Sequence, residues 1–165
     1  MTDRPPFAPK ARPAVQRAHK LAKVWERKLA DWHATYRIRG FAHIERHHEG
    51  VKTVDGRTIR VEDGSPDFGG TIRGGRSLVF DAKFVSTSNH YYLSSMKEHQ
   101  RSSLFDHAKL GGLAFVVVRF DAFDVQAAFP VVEGGEKVLK AEFAVESGLT
   151  FGDEGWWSVV GRTVR

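Results

Sequence analysis

The sequence predicts an α/β fold in which helices flank a mixed β-sheet. Two observations predict it. Helical and β-rich patterns alternate along the chain in the order helix, strands, helix, strands. LAFVVVRF (113–120) is a continuous apolar run, typical of a central strand that is buried on both faces. With 165 residues the chain fits one domain, which we expect to span residues 13–165.

The N-terminal region predicts a mobile basic arm followed by a long helix. Residues 1–12 are rich in proline and carry Arg4, Lys10 and Arg12. Pro13 suits a first helical turn, and Gly40 ends the helix, which runs to about Arg37. Apolar residues at spacings of three and four form one stripe along it, at Ala18, Ala22, Trp25, Leu29, Trp32 and Tyr36.

A strand at 41–47 and a hairpin at about 51–64 follow the helix. Asp55-Gly56 between β-prone segments is a strong signal for a two-residue hairpin turn. The hairpin carries Lys52, Arg57 and Arg60 and few large apolar residues. It is therefore expected either to project from the domain or to be an ordinary surface hairpin.

Residues 77–85 (SLVFDAKFV) form the next predicted strand. Side chains alternate along a strand, so Leu78, Phe80, Ala82 and Phe84 share one face. Asp81 and Lys83 project together from the opposite face. Upstream, the glycines at 69, 70, 74 and 75 bracket a turn or short connection.

The remaining elements are predicted with less detail. A helix is expected from Tyr92 to Lys109, ended by Gly111-Gly112, and a strand is expected over DVQAAF (124–129). A short helix is expected within 136–146. Trp156 and Trp157 receive no placement.

Composition and charge narrow the functional classes. The absence of cysteine excludes disulfides, thiolate metal sites and cysteine nucleophiles. No apolar stretch approaches a membrane span and the start lacks a secretory pattern, so a cytoplasmic protein is expected. Residues 1–50 hold 11 Lys/Arg and 5 Asp/Glu, whereas the remaining residues hold 14 and 15. This basic N-terminal third favours a polyanionic partner over a merely solubilising tail.

Asp81 and Lys83 are the main candidates for chemistry. A salt bridge on a solvated face is the simple alternative. Asp67, however, lies upstream next to the glycines, and a hairpin-like return would bring it beside Asp81. Converging carboxylates suit Mg²⁺ or Mn²⁺, and an adjacent lysine can orient a water or stabilise charge on a phosphate. The set therefore predicts phosphodiester hydrolysis.

Four further residues each have more than one interpretation. Glu26, next to Trp25, either points at the sheet edge or is a surface residue. Gln100 shares a helical stripe with Met96 and Leu104, and either bonds the backbone or points into a site. His47 and His48 are expected to contact DNA or simply to be exposed, rather than to bind a metal.

The stretches SPDFGG (65–70), SLVFDAKF (77–84) and YYLSSMKEHQRSSLFDHAKLGGLAFVVVRF (91–120) carry a resemblance. Pro66-Asp67, followed after 13 residues by Asp81-Ala82-Lys83, resembles the PD-(D/E)XK nuclease signature. In this context the chain resembles the RecU family of Holliday-junction resolvases, most closely over residues 64–120. Its length would suit a compact, phage-borne version.

The resemblance implies a restriction-endonuclease-like fold with a projecting hairpin as a stalk. It implies Asp67 and Asp81 as metal ligands, Lys83 as the catalytic lysine, and Glu26 and Gln100 as further site residues. It also implies a homodimer that uses Mg²⁺ or Mn²⁺, one or two ions per site, to nick opposed strands of a four-way junction in the bacterial or phage-infected cytoplasm. DNA contacts are expected from Arg4, Lys10, Arg12, Arg17, Lys20, Lys52, Arg57, Arg60, Arg73 and Arg76.

Two departures from the family pattern remain. Asp81 stands where glutamate is common, and IERHHEGVK (44–52) replaces the segment usual before the stalk. The alternatives are a nuclease of the same fold that acts on duplex, flaps or ends, and a non-catalytic DNA-bridging protein. The intact Asp67, Asp81 and Lys83 set argues against the second.

Overall fold

A computed structural model of the chain describes residues 13–47, 50–55, 57–61 and 65–163; the side chains of 13–14, 50–54 and 57–61 lie outside this description. The predicted arm, with Arg4, Lys10 and Arg12, also lies outside it, as do Gly56 and His48. Strands and helices follow in the order α1 (Pro13–Ile38), β1 (Ala42–Arg46), β2 (Gly50–Val54), β3 (Arg57–Val61), β4 (Phe68–Ile72), β5 (Ser77–Val85), β6 (His90–Tyr92), α2 (Glu98–Lys109), β7 (Leu113–Phe120), β8 (Val125–Pro130), β9 (Val138–Lys140), α3 (Ala141–Glu146) and α4 (Trp157–Thr163).

The main sheet has five strands in the order β1-β4-β5-β7-β8. Strands β5 and β7 are parallel, and the other neighbours are antiparallel. The parallel pair requires a crossover, which α2 provides. The mixed sheet flanked by helices is therefore confirmed.

Two apolar clusters cover the two faces of this sheet. On one face α1 contributes Trp25, Leu29, Trp32 and Tyr36, the second half of the predicted stripe. On the other face Leu104 of α2 and Ala144 of α3 pack over the sheet. Burial on both faces explains why β7 has no polar alternation.

Strands β2 and β3 pair antiparallel in a separate two-stranded sheet, with Val54 opposite Arg57. Asp55 in the turn has a positive φ of 50°, a conformation common in tight hairpin turns. The hairpin that the Asp55-Gly56 pair predicts is thus present, and its role as a stalk stays a prediction.

Two predicted helices begin later in the chain than the sequence indicated. The helix expected from Tyr92 begins at Glu98, because His90–Tyr92 pairs with Val138–Lys140 as a small sheet. The same pairing makes Val138–Lys140 a strand, so only Ala141–Glu146 of the expected 136–146 helix is helical. None of the helices within the described ranges has the length and apolar character needed to cross a bilayer.

Candidate active site

The carboxylates of Asp67 and Asp81 meet where β4 begins beside β5. These strands are antiparallel with Phe68 opposite Phe80, so Asp67 comes opposite Asp81 one position further on. The backbone N–H of Asp67 donates to Asp81 Oδ1 at 2.8 Å, and the N–H of Ala82 donates to Asp67 Oδ2 at 3.1 Å. The hairpin-like return expected from the sequence therefore holds both carboxylates in fixed positions.

Asp81 is fully buried in the middle of the sheet, with 0% exposure. Its Oδ2 accepts no hydrogen bond from any residue that the structure describes. The nearest cation is Lys83, whose Nζ lies 3.4 Å from Oδ2 with a side chain that is 20% exposed. The ion pair of the simple alternative is therefore present, but it does not lie on a solvated face, because Asp81 is fully buried.

Burial raises the pKa of Asp81 above its ordinary value. The ammonium of Lys83 opposes that rise, whereas the neighbouring negative charge of Asp67 adds to it. A carboxylate that is buried, repelled by a second carboxylate and only partly offset by a lysine favours a cation in contact with it.

The oxygen ligands of Asp67 and Asp81 fit a divalent cation. Asp67 and Asp81 offer hard oxygen ligands, and Asp81 Oδ2 accepts no hydrogen bond from the described residues, although the Lys83 ammonium lies near it. In the described part of the chain no three His, Asp or Glu side chains converge. Mg²⁺ commonly binds through one or two carboxylates and completes its shell with water and substrate phosphate, so two carboxylates fit it.

Glu26 lies on α1 and is turned towards β1. Its Oε2 is 3.2 Å from the guanidinium of Arg46, and both side chains are partly exposed. Arg46 also lies over the ring of Phe68, the residue after Asp67, at 5.9 Å. The structure thus brings Glu26 to the site's end of the sheet, paired with Arg46; among the described residues it has no contact with the two aspartates.

Gln100 lies in the first turn of α2 and is half-buried. The structure gives its amide no hydrogen bond to another described residue. Met96 and Leu104 are buried as expected, but Met96 precedes α2 in extended backbone, so the predicted helical stripe does not reach it. Of the five predicted site residues, three are connected through Asp81, which accepts from the backbone N–H of Asp67 and forms an ion pair with Lys83.

The predicted basic contacts occupy different regions. Arg17 and Lys20 are exposed on the first turns of α1. Arg73 and Arg76 lie at the turn between β4 and β5 and donate to the carbonyls of Gly40 and Gly111. They stand roughly 15 Å from the carboxylates, the length of about five strand residues.

His47 is exposed, which is one of the two expectations for it, but sequence reasoning missed its contact with the segment before β4. Its ring donates from Nδ1 to the Pro66 carbonyl at 2.8 Å, next to Asp67. No local signal identifies this contact, because it depends on the pairing of β1 with β4 across the hairpin.

The chain is similar to known proteins in sequence and in structure. A family model described as Recombination protein U matches residues 24–132, a stretch that contains all five predicted site residues. A Holliday junction resolvase RecU from Pediococcus pentosaceus is 37% identical over 54 residues, 33% of this chain and 26% of that protein. The solved structure of Hjc, a Holliday junction resolvase from Archaeoglobus fulgidus, matches with a TM-score of 0.48 at 17% identity, over 78% of this chain and 96% of that one. The chain's match thus spans about a quarter of the length of its curated relative.

Proposed function

The chain belongs to the Recombination protein U (RecU) family, and we propose that it is a structure-selective endonuclease that resolves four-way DNA junctions. The observation that carries this proposal is the fixed Asp67–Asp81 pair with Lys83 beside it. The order of these acids on antiparallel strands also suits a PD-(D/E)XK nuclease. The name of the Pediococcus relative, Holliday junction resolvase, supports the choice of substrate.

In this proposal each residue has a distinct task. Asp67 and Asp81 hold a divalent cation, and the backbone bonds between them keep the two carboxylates aligned. Lys83 Nζ, partly exposed beside Asp81, either orients the attacking water or neutralises charge on the phosphate oxygens in the transition state. Glu26 and Gln100 support the site from the two helices.

The cation would be Mg²⁺ or Mn²⁺, one or two ions per site. When bound, it would supply Lewis-acid stabilisation of the phosphate and a water of lowered pKa. Asp81 Oδ2, which accepts no hydrogen bond from the described residues, supports this assignment. Lys83 offsets only part of the buried charge, because burial and the charge of Asp67 still leave the pKa of Asp81 raised.

DNA binding would come mainly from basic side chains outside the catalytic set. Arg17 and Lys20 are exposed on α1, and the arm before it adds further positive charge. The β2–β3 hairpin would act as the stalk that enters the junction, with contacts from Lys52, Arg57 and Arg60. A cytoplasmic location near the bacterial nucleoid follows from this substrate.

Resolution requires two cuts on opposed strands, so the active species would be a homodimer with one site per protomer. We expect light scattering to report the mass of a dimer. A monomeric mass under conditions that support cleavage would contradict this part of the proposal.

The test is a cleavage assay on a labelled four-way junction and a linear duplex of matched sequence. Each substrate is incubated with Mg²⁺ or with a chelator. We expect paired, symmetric nicks in the junction alone, and only with the metal.

The other outcomes favour the alternatives. Equal cutting of duplex, flaps or ends would indicate a nuclease without junction selectivity. Junction binding with no cutting under either condition would indicate a DNA-bridging protein that retains the fold.

A further inference from the structure

We propose that His47 is a positioning residue that closes the base of the β2–β3 hairpin and holds Asp67 in register with Asp81. Its catalytic consequence rests on the proposed nuclease function. Its structural consequence does not, because the register can be measured in the free protein.

His47 makes two bonds to the strand that carries Asp67. Its backbone N–H donates to the carbonyl of Asp67 at 2.8 Å. Its ring Nδ1 lies 2.8 Å from the carbonyl of Pro66. A carbonyl oxygen only accepts, so Nδ1 carries the hydrogen of this bond.

The segment that His47 bonds also makes the hydrogen bonds that position the carboxylates of Asp67 and Asp81. The N–H between Pro66 and Asp67 is the donor to Asp81 Oδ1, and the side chain of Asp67 accepts from the N–H of Ala82. Fixing the Pro66 carbonyl fixes the plane of the peptide that carries this donor, since the peptide unit is planar. His47 thereby sets the direction of the bond that reaches Asp81.

The ring of His47 occupies the space that a side chain at position 69 would fill. A Cβ at position 69 would lie 2.5 Å from Cε1 and 2.8 Å from Nε2 of His47. Any larger residue there would push the imidazole out of its position beside Pro66. The ring, the Pro66 carbonyl and the glycine therefore form one unit, which we call the His47 clamp.

The His47 clamp lies where the hairpin joins the main sheet. The chain leaves the sheet after His47, forms β2 and β3, and returns at Pro66. The two ends of the hairpin, His47 and Pro66, are thus bonded to each other directly beside Asp67. This makes the clamp a determinant of how the hairpin is aligned with the cutting site.

The test compares His47→Asn with His47→Gln. The asparagine amide reproduces the position of Nδ1, whereas the glutamine amide reproduces that of Nε2. His43→Asn is the matched control, because His43 lies two residues earlier on β1 and bonds Glu45 at 3.0 Å instead of the site. Two quantities are measured: hydrogen exchange of the Asp67 and Ala82 amides without DNA, and kcat and KM on a junction.

We expect His47→Gln to exchange these two amides about tenfold faster, the effect of losing one hydrogen bond. We expect kcat to fall about 10- to 100-fold with little change in KM, as for other residues that orient a ligand. His47→Asn and His43→Asn should stay near the parent protein in both measurements. The core amide of Val117 should exchange normally in every variant, which shows that each is folded.

Gly69→Ala should also displace the His47 ring from the Pro66 carbonyl. We expect it to match His47→Gln in the two exchange rates and in kcat. The proposal is overturned if His47→Gln exchanges and cleaves like the parent, or if His47→Asn is as impaired as His47→Gln. If the parent protein cleaves no junction, the nuclease proposal fails. The exchange rates of the Asp67 and Ala82 amides then still support or overturn the proposed role of the His47 clamp.

Discussion

At the scale of single residues, the site is a buried charge that the fold tolerates at a cost. Asp81 is fully buried with one oxygen that accepts no hydrogen bond from the described residues, and its pKa is raised by burial. Alternation along β5 correctly placed Asp81 and Lys83 on one face. It could not tell that Asp81 is covered, because alternation within β5 carries no information about how α2 and α3 pack on the sheet.

The free-energy cost of burying the charge of Asp81 predicts a trade-off between activity and stability. Asp81→Asn keeps an oxygen to accept from Asp67 and removes the buried charge, so we expect the variant to be more stable without divalent cations. A gain on the order of 1 kcal/mol would raise Tm by about 2–4 °C. Thermal unfolding in a chelator measures it.

The same variant should lose cleavage and largely keep junction binding. Asp106→Asn, an exposed change on α2, should alter neither Tm nor cleavage. A lower Tm for Asp81→Asn would mean that the ionised carboxylate stabilises the cation-free protein, contrary to this account.

At the scale of elements, local patterns identified the long and strongly patterned segments. The predicted end of α1, the strand over 77–85 and the strand over 113–120 agree with the structure. The error at Tyr92 has a physical cause: pairing with Val138, 46 positions along the chain, overrides a local helical pattern. Likewise, the pairing that joins His47 to Asp67 spans the whole hairpin.

The first turns of α1 form a basic extension beyond the buried stripe. Residues 15–17, 19 and 20 are exposed, and the first buried side chain described in this helix is Trp25. If Arg17 and Lys20 each contact a phosphate, then changing both to Gln should reduce the slope of log K against log salt by about two. Filter binding of a junction over a salt series measures this slope.

Lys140→Gln, an exposed change at the end of β9, is the control and should leave the slope unaltered. An unchanged slope in the double variant would remove these turns of α1 from the DNA interface.

At the scale of the whole molecule, the C-terminal segment completes the core. Trp156 is fully buried and contacts the rings of Phe80 and Phe115 from the two central strands. Its Nε1 lies 3.4 Å from Nε2 of His33 on α1. Sequence patterns did not place Trp156, because its contact with His33 of α1 joins residues more than 100 positions apart.

His33 makes the stability of the whole fold depend on pH. Burial lowers its pKa from 6.5 to about 4. The unfolded chain takes up this proton below about pH 6.5 while the folded protein resists it. Stability is therefore full above pH 6.5 and falls as the pH drops towards 4, by up to roughly 3 kcal/mol.

Denaturant unfolding at a series of pH values measures this loss. His33→Phe should flatten the dependence between pH 6.5 and 4, whatever its effect on absolute stability. A slope equal to that of the parent protein would show that other groups cause the acid sensitivity.

The central claim is that Asp67, Asp81 and Lys83 form a metal-dependent site that acts in pairs on a four-way junction. The most direct measurement uses a supercoiled plasmid that extrudes a cruciform, since the cruciform is reabsorbed once a single nick releases supercoiling. The account predicts that the parent protein with Mg²⁺ converts it directly to the linear form, and that Asp81→Asn or a chelator abolishes this. Accumulation of nicked circles, or linear product without metal, would contradict the account.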